Sequence, residues 1–324
     1  MAQEQELILR TVVKGLYEMD SLYLGWSSFA ACYILEKDGE IAVIETNTNH
    51  AVPLVLRSLK QLGLSQDRVK YVIVTHIHLD HAGGAGKLIS LFPHARLVVH
   101  SRGARHMVDP ERLIASVKQV YGEKKYRDLY GDILPVPEER LRVANDGDML
   151  SLGRGHLRIM ETPGHAKHHF VVFDTATKSL FSGDAFGIGY PRFNAGSSRW
   201  IFPSTAPVQF DPELIKKSFE SIGNLKPDRI LLTHFGSLED VGDARQQLND
   251  WIDYMVDRAG VLAKSNPNKD DLTARLADDF WAHADSSLKQ FRGQGLTGEE
   301  REFLKLDIDL NAQGVAHYIQ SINS

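Results

Sequence analysis

The chain has 324 residues and a single cysteine, Cys32. One thiol excludes an internal disulfide framework and permits a reducing compartment. Cys32 stands in the apolar run Ala30-Ala31-Cys32-Tyr33-Ile34-Leu35, which reads as a buried strand rather than a reactive site. No apolar stretch approaches the roughly 18 residues that a membrane-spanning helix needs. The opening residues Met1-Ala2-Gln3-Glu4-Gln5-Glu6 are polar and acidic, with none of the basic and apolar regions of a secretory signal. A cytoplasmic location is therefore expected, with no membrane partner. Positive charge is not in excess: 37 Lys and Arg against 42 Asp and Glu leave a formal charge of −5. That balance removes any general attraction for nucleic acid or anionic lipid. Internal repeats and low-complexity tracts are also missing. What remains is ordinary globular composition, 43% hydrophobic and 24% charged, long enough for one large domain and an appendage.

Histidine is where the chain departs from the ordinary. Residues 75–84 read Thr-His-Ile-His-Leu-Asp-His-Ala-Gly-Gly. Four groups able to ligate metal, His76, His78, Asp80 and His81, fall within six positions. They follow Tyr71-Val72-Ile73-Val74, which reads as a buried strand, and precede Ala82–Phe92, which has helical apolar spacing. Imidazoles and carboxylates packed this tightly are costly to bury unless paired or metal-bound. Further along, Thr162-Pro163-Gly164-His165, Ser182-Gly183-Asp184 and Leu231-Leu232-Thr233-His234 each end a short apolar run in the same way. Strand ends converging on one sheet edge would gather all of these groups into one polar centre.

This set, His76-x-His78-x-Asp80-His81 followed by His165, Asp184 and His234, resembles the metallo-β-lactamase superfamily, on its glyoxalase II-like side. The resemblance covers residues 20–245. It implies an α/β fold, an αββα sandwich, with a two-metal site at one edge. Carried over position by position, His76, His78 and His165 would hold one metal. Asp80, His81 and His234 would hold the other, and Asp184 would bridge them. Asp80 would also orient the attacking hydroxide, which makes it the expected catalytic residue. The chain departs from the family at two places. Glu45 stands where an early aspartate is usual, and would support the loop of His76 and His78. His168 occupies a glycine position of Thr-Pro-Gly-His-x-x-Gly-His, so that His169 matches the supporting histidine.

The chemistry of the donors agrees. Neutral imidazoles and carboxylates suit divalent transition metals, zinc first, with iron or manganese as alternatives. Two metals roughly 3.5–4 Å apart can share a hydroxide held ready at neutral pH. The expected function is a dinuclear metal-dependent hydrolase that turns such a hydroxide on a small-molecule thioester, lactone or related ester. Two alternatives stand beside it: an iron-dependent oxidoreductase on the same fold, and a metal-binding regulatory protein with little turnover. The oxidoreductase branch is disfavoured because His78 stands where a glutamate is typical there. A nuclease is disfavoured by the acidic balance.

Residues 1–245 are expected to form the catalytic domain and 246–324 a helical C-terminal extension. Strands are predicted at Leu7–Val13, Tyr23–Leu24, Ala30–Glu36, Ile41–Glu45, Val69–Val74 and Arg96–His100. Helices are predicted at Val52–Leu62 and Glu111–Tyr121. A second strand-rich half begins near Leu141. The stretch Phe186–Phe210 is rich in glycine, proline and aromatics, and is expected to lie over the metal edge. Phe186, Tyr190 and Trp200 would form apolar walls for substrate there, and Arg192 would meet a carboxylate. The alternative use of these aromatics is an interface in a homo-oligomer. Past Arg245 the pattern is helical, with the stripe Leu248-Trp251-Ile252-Met255-Val256. A capping-box spacing at Thr297-Gly298-Glu299-Glu300 then opens a last helix.

Overall fold

Strand pairing builds two sheets. The first holds β1 (Leu9–Val13), β2 (Leu16–Asp20), β3 (Ala31–Lys37), β4 (Glu40–Ile44), β5 (Val69–Ile73), β6 (Arg96–His100) and β7 (Leu141–Ala144), side by side in chain order. The first four pair antiparallel, and β4 through β7 pair parallel. Parallel neighbours need crossovers. These are α1 (Val52–Gln61), then α2 (Leu79–Ala82) with α3 (Ala85–Leu91), then α4 (Ser101–Val108), α5 (Glu111–Tyr121) and α6 (Glu123–Tyr130). The second sheet runs β13-β12-β11-β10-β9-β8. Its strands are β8 (Met149–Leu152), β9 (Gly155–Glu161), β10 (Phe170–Asp174), β11 (Ser179–Gly183), β12 (Arg229–Leu232) and β13 (Gly236–Leu238). Only β11 and β12 pair parallel, and their crossover carries α7 (Pro212–Asn224). Three long helices follow: α8 (Val241–Ala263), α9 (Lys269–Arg292) and α10 (Gly298–Ile322). This computed structural model describes residues 6–265 and 268–322; Met1–Gln5, part of the segment read above for a signal, lie outside them. No helix among the described residues is long and apolar enough to cross a membrane.

Side-chain alternation explains the layering. On β3, Tyr33 and Leu35 enter the core between the sheets, while Cys32 and Ile34 enter the core that α1 and α3 share with the first sheet. On β4, Ala42 and Ile44 part from Ile41 and Val43 in the same way. Burial on both faces is why these strands read as unbroken apolar runs. The inter-sheet core continues into the last helices: Leu157, Phe181 and Leu231 share it with Leu248, Trp251, Leu276, Phe303 and Ile308. The expected αββα sandwich with a helical C-terminal extension is the architecture found. The capping box is also present. Thr297 N–H donates to Glu300 Oε2 at 2.9 Å, and Glu300 N–H to Thr297 Oγ1 at 3.2 Å.

One expectation near the start is corrected, and one strand was not expected. Tyr23–Leu24 is not a strand but part of a 3₁₀ turn, with Leu22 and Leu24 in the left-handed region. The strand lies earlier, at Leu16–Asp20, where Glu18 and Asp20 are buried and mask the apolar signal. Both carboxylates are satisfied. Arg10 Nη1 donates to Glu18 Oε1 at 3.1 Å, and Asp20 accepts from the N–H groups of Leu22 and Ser28.

Candidate metal centre

The motif segments leave the carboxyl ends of β5, β9, β11 and β12 at one edge of the sandwich. Main-chain bonds between the sheets tie that edge together. Phe170 N–H donates to the Thr75 carbonyl at 3.0 Å, and Ala31 N–H to the Thr233 carbonyl at 2.8 Å. Asp184 follows a position that only glycine can fill. Gly183 has φ +51°, and a Cβ there would lie 2.3 Å from Thr75 Oγ1 and 2.6 Å from His169 Nε2.

All seven sequence-predicted ligands come together. Their donor atoms form three mutually close groups: His76, His78 and His165; Asp80, His81 and His234; and His76, His81 and Asp184. In the first, His78 Nδ1 lies 2.9 Å from His76 Nε2 and 3.2 Å from His165 Nε2. In the second, Asp80 Oδ2 lies 3.6 Å from both His81 Nε2 and His234 Nε2. Asp184 spans the two. Its Oδ1 is 3.2 Å from His81 Nε2 and 3.7 Å from His234 Nε2, and its Oδ2 is 3.5 Å from His165 Nε2.

The outer nitrogens decide which way the lone pairs point. His165 Nδ1 donates to the Ser204 carbonyl at 3.1 Å, and His234 Nδ1 to the Phe29 carbonyl at 3.0 Å. His81 Nδ1 donates to Glu45 Oε2 at 3.0 Å. A carbonyl or carboxylate only accepts, so in the neutral rings each Nε2 carries its lone pair toward the centre. His81 Nε2 and Asp184 Oδ1 are buried, face each other, and have no hydrogen-bond partner. Lone pair against carboxylate is repulsive without a cation or a proton between them. The donor set and its two orphaned atoms therefore fit divalent metal ions.

Charge balance divides the centre. Burial, reinforced by neighbouring imidazoles, holds His76 and His78 well below the ordinary histidine value, and burial also lowers His165. These rings are neutral and ready to ligate. Burial also works against charge on His81, yet Asp184, Asp80 and Glu45 together hold it well above the ordinary value. His234 is raised in spite of burial by Asp184 and Asp80. Burial opposes the charged form of both carboxylates too. His81 and His234 keep Asp80 below the usual range; for Asp184, His81, His165 and His234 do so.

Supporting contacts surround the ligands. Glu45 accepts from Thr75 N–H at 3.1 Å through Oε1 while its Oε2 holds His81, so it braces the turn that leads into His76 and His78. His169 accepts from Asp184 N–H at 3.2 Å, and its Nδ1 lies 2.9 Å from Thr162 Oγ1. His168 is buried 5.5 Å, ring to ring, from His78; burial pulls it down to about 4.

The residues expected to meet substrate lie elsewhere. Phe186, Tyr190 and Trp200 expose 0%, 0% and 1% of their surface, so they are core rather than open walls. Phe186 meets Phe219 edge-on, and Trp200 Nε1 donates to Ser287 Oγ on α9. Tyr190 O–H donates to Asp307 Oδ2 on α10 at 3.1 Å. The Arg192 guanidinium lies 3.8 Å over the Phe303 ring and pairs with Glu299 at 3.5 Å. The loop's aromatics are consumed by α7 and the last helices, whose apolar stripes need a partner. Sequence reasoning missed Ser204, Asp307 and Asn311. No signal in the sequence singles them out, because the helix of Asp307 and Asn311 also carries Lys305, Asp309 and Gln313.

A profile described as the metallo-beta-lactamase superfamily matches residues 27–234. The hydroxyacylglutathione hydrolase of Rhodopseudomonas palustris is 25% identical over 179 residues, 55% of this chain and 54% of that protein. The human acyl-coenzyme A thioesterase MBLAC2 is 26% identical over 194 residues, 52% of this chain and 63% of its own length. The chain thus spans between half and two thirds of each of these relatives. The crystal structure of an archaeal metallo-beta-lactamase superfamily protein from Sulfolobus tokodaii superimposes with a TM-score of 0.64 and 19% identity. That match covers 93% of this chain and 98% of the other.

Proposed function

The chain belongs to the metallo-β-lactamase superfamily, and from that premise we propose that it is a two-metal hydrolase of acyl esters, with thioesters and lactones as its substrate class. The observation that carries this reading is the pair of facing ligand groups joined through one buried carboxylate, Asp184. The two hydrolases among its relatives support the acyl substrate. When bound, the metal pair supplies a Lewis acid for the acyl oxygen and lowers the pKa of water enough to make a nucleophile near neutral pH.

The protein's own residues do the rest. His76, His78 and His165 offer neutral nitrogens across the physiological range, because burial keeps protons off them. Glu45 and the Phe29 carbonyl hold the Nδ1 protons of His81 and His234, so both Nε2 atoms face inward. Of the seven ligands only His78 and Asp80 are not buried; the Asp80 side chain is 28% exposed. Substrate therefore enters on their side. Asp80 turns one oxygen to His81 and His234, leaving the other to accept a hydrogen bond from the attacking water and align it.

The direct test is a substrate panel on metal-replete protein, with thioesters, lactones, phosphodiesters and β-lactams, run for wild type and Asp80→Ala. Hydrolysis of thioesters or lactones that disappears in the variant is expected. Turnover confined to phosphodiesters, or oxygen uptake by iron-loaded protein without hydrolysis, would refute the reading.

Glu45→Ala is expected to act more gently. It removes the acceptor for His81 Nδ1 and Thr75 N–H but no ligand, so metal affinity and activity should each fall by about 10–100-fold. Zinc competition with a chromophoric chelator measures this, and an unchanged affinity would remove Glu45 from its supporting role.

A further inference from the structure

α10 carries two polar side chains into the interior. Asp307 and Asn311 are both buried, and with Phe303 they fall at four-residue spacing on one face. Such groups are costly to bury unless hydrogen-bonded. Asn311 spends its whole amide on one loop. Its Oδ1 accepts from Thr205 N–H at 2.8 Å, and its Nδ2 donates to the Pro203 carbonyl at 2.9 Å. The Thr205 hydroxyl also donates to the Asn311 main-chain carbonyl at 3.1 Å. The helix comes this close because residue 314 is glycine. A Cβ on Gly314 would lie 2.5 Å from Thr205 Oγ1 and 3.1 Å from the Thr205 carbonyl oxygen.

Between the two clamped residues stands Ser204, which turns to the metal centre. Its hydroxyl donates to Asp184 Oδ2 at 2.9 Å, and its carbonyl accepts from His165 Nδ1 at 3.1 Å. We propose that Asn311 is a positioning residue for the metal centre: by clamping Pro203–Thr205 it makes Ser204 hold the His165 ring and the Asp184 carboxylate in their ligating orientation. This rests on the metal-centre reading above. The effect is one-sided. The rings of His81 and His234 are oriented by Glu45 and Phe29, neither of which touches the clamp through a hydrogen bond. Loss of Asn311 therefore loosens His165 and the Asp184 Oδ2 that faces it, and leaves Asp184 Oδ1 beside His81 and His234, with Asp80, in place.

The test is zinc titration of the full chain, stripped of metal and competed by a chromophoric chelator. Asn311→Ala should weaken one zinc-binding step by about 10–100-fold and leave the other nearly unchanged. Gly314→Ala, which forces Thr205 away while keeping the amide, should act in the same direction. Leu304→Ala removes an apolar contact of the same helix without touching the loop's hydrogen bonds. It should lower the melting temperature of the metal-free protein and spare both zinc steps. Identical zinc binding by wild type and Asn311→Ala overturns the proposal alone. So does a loss in Leu304→Ala equal to that in Asn311→Ala. A wild type that takes up no zinc overturns the metal-centre reading, and the proposal with it.

Discussion

Asp184→Ala is expected to empty both metal positions, where any other single ligand replacement empties one. Asp184 lies against His81 and His234 through Oδ1, at 3.2 and 3.7 Å, and against His165 through Oδ2, at 3.5 Å. Its loss removes the one anion that both ligand groups share, and leaves the cations to repel each other without a carboxylate between them. Hydrolysis should fall by more than about 100-fold, the upper end of what losing a supporting partner costs. His165→Ala should spare Asp80, His81 and His234, and His234→Ala should spare His76, His78 and His165. Elemental analysis of the three purified variants reads this hierarchy. Full metal content in Asp184→Ala would show that the carboxylate is not the bridge.

Withdrawal of metal is expected to lower the melting temperature by at least about 5 °C at neutral pH. A ligand at 1,000 times its Kd stabilises the native state by about 4 kcal/mol, and each kcal/mol moves the midpoint of a large domain by about 2–4 °C. The gap between loaded and stripped protein should widen as pH rises above the ordinary histidine value of about 6.5. His81 and His234 explain the sign. In the metal-free protein their carboxylate neighbours, acting against burial, raise both rings above the ordinary histidine value. A raised imidazole stabilises the fold fully below its unfolded pKa, and that contribution is lost as pH rises through the folded value. Metal must also expel those protons to bind, so its affinity climbs over the same range. His76, His78 and His165 are lowered, hold no proton near neutrality, and add little to the slope. Differential scanning fluorimetry of loaded and chelated protein across that range is the measurement. A gap that narrows with rising pH would contradict the charge assignment.

Much of the site was legible because its ligands sit directly after strands. A strand has a two-residue period and a defined end, so an apolar run followed by His, Asp or Gly marks where a side chain leaves the sheet. His76, His78, His165, Asp184 and His234 all follow such runs. The aromatics of Phe186–Phe202 carried no such register. An irregular loop has no period, so Phe186 and Trp200 look the same in sequence whether they face a substrate or, as here, α7 and α9. Strand β2 was hidden for a related reason: buried Glu18 and Asp20 break the apolar pattern, and their partners Arg10 and Ser28 are known only from the fold.

Local chemistry along the chain determined the apolar strand runs, the ligand types that close them and the capping box at Thr297, because each depends on neighbours within a few residues; the sandwich and the gathering of the seven ligands followed from the resemblance to the superfamily. Tertiary structure alone decided which nitrogen of His81, His234 and His165 faces inward, because the partner of each outer nitrogen is a distant group: Glu45, Phe29 and Ser204. It alone decided that His78 and Asp80 are the partly exposed ligands, since exposure is a property of the packed whole. It alone brought Asn311 within hydrogen-bonding distance of the loop beside Asp184, a contact across 106 residues between Thr205 and Asn311 that leaves no mark in either segment read by itself.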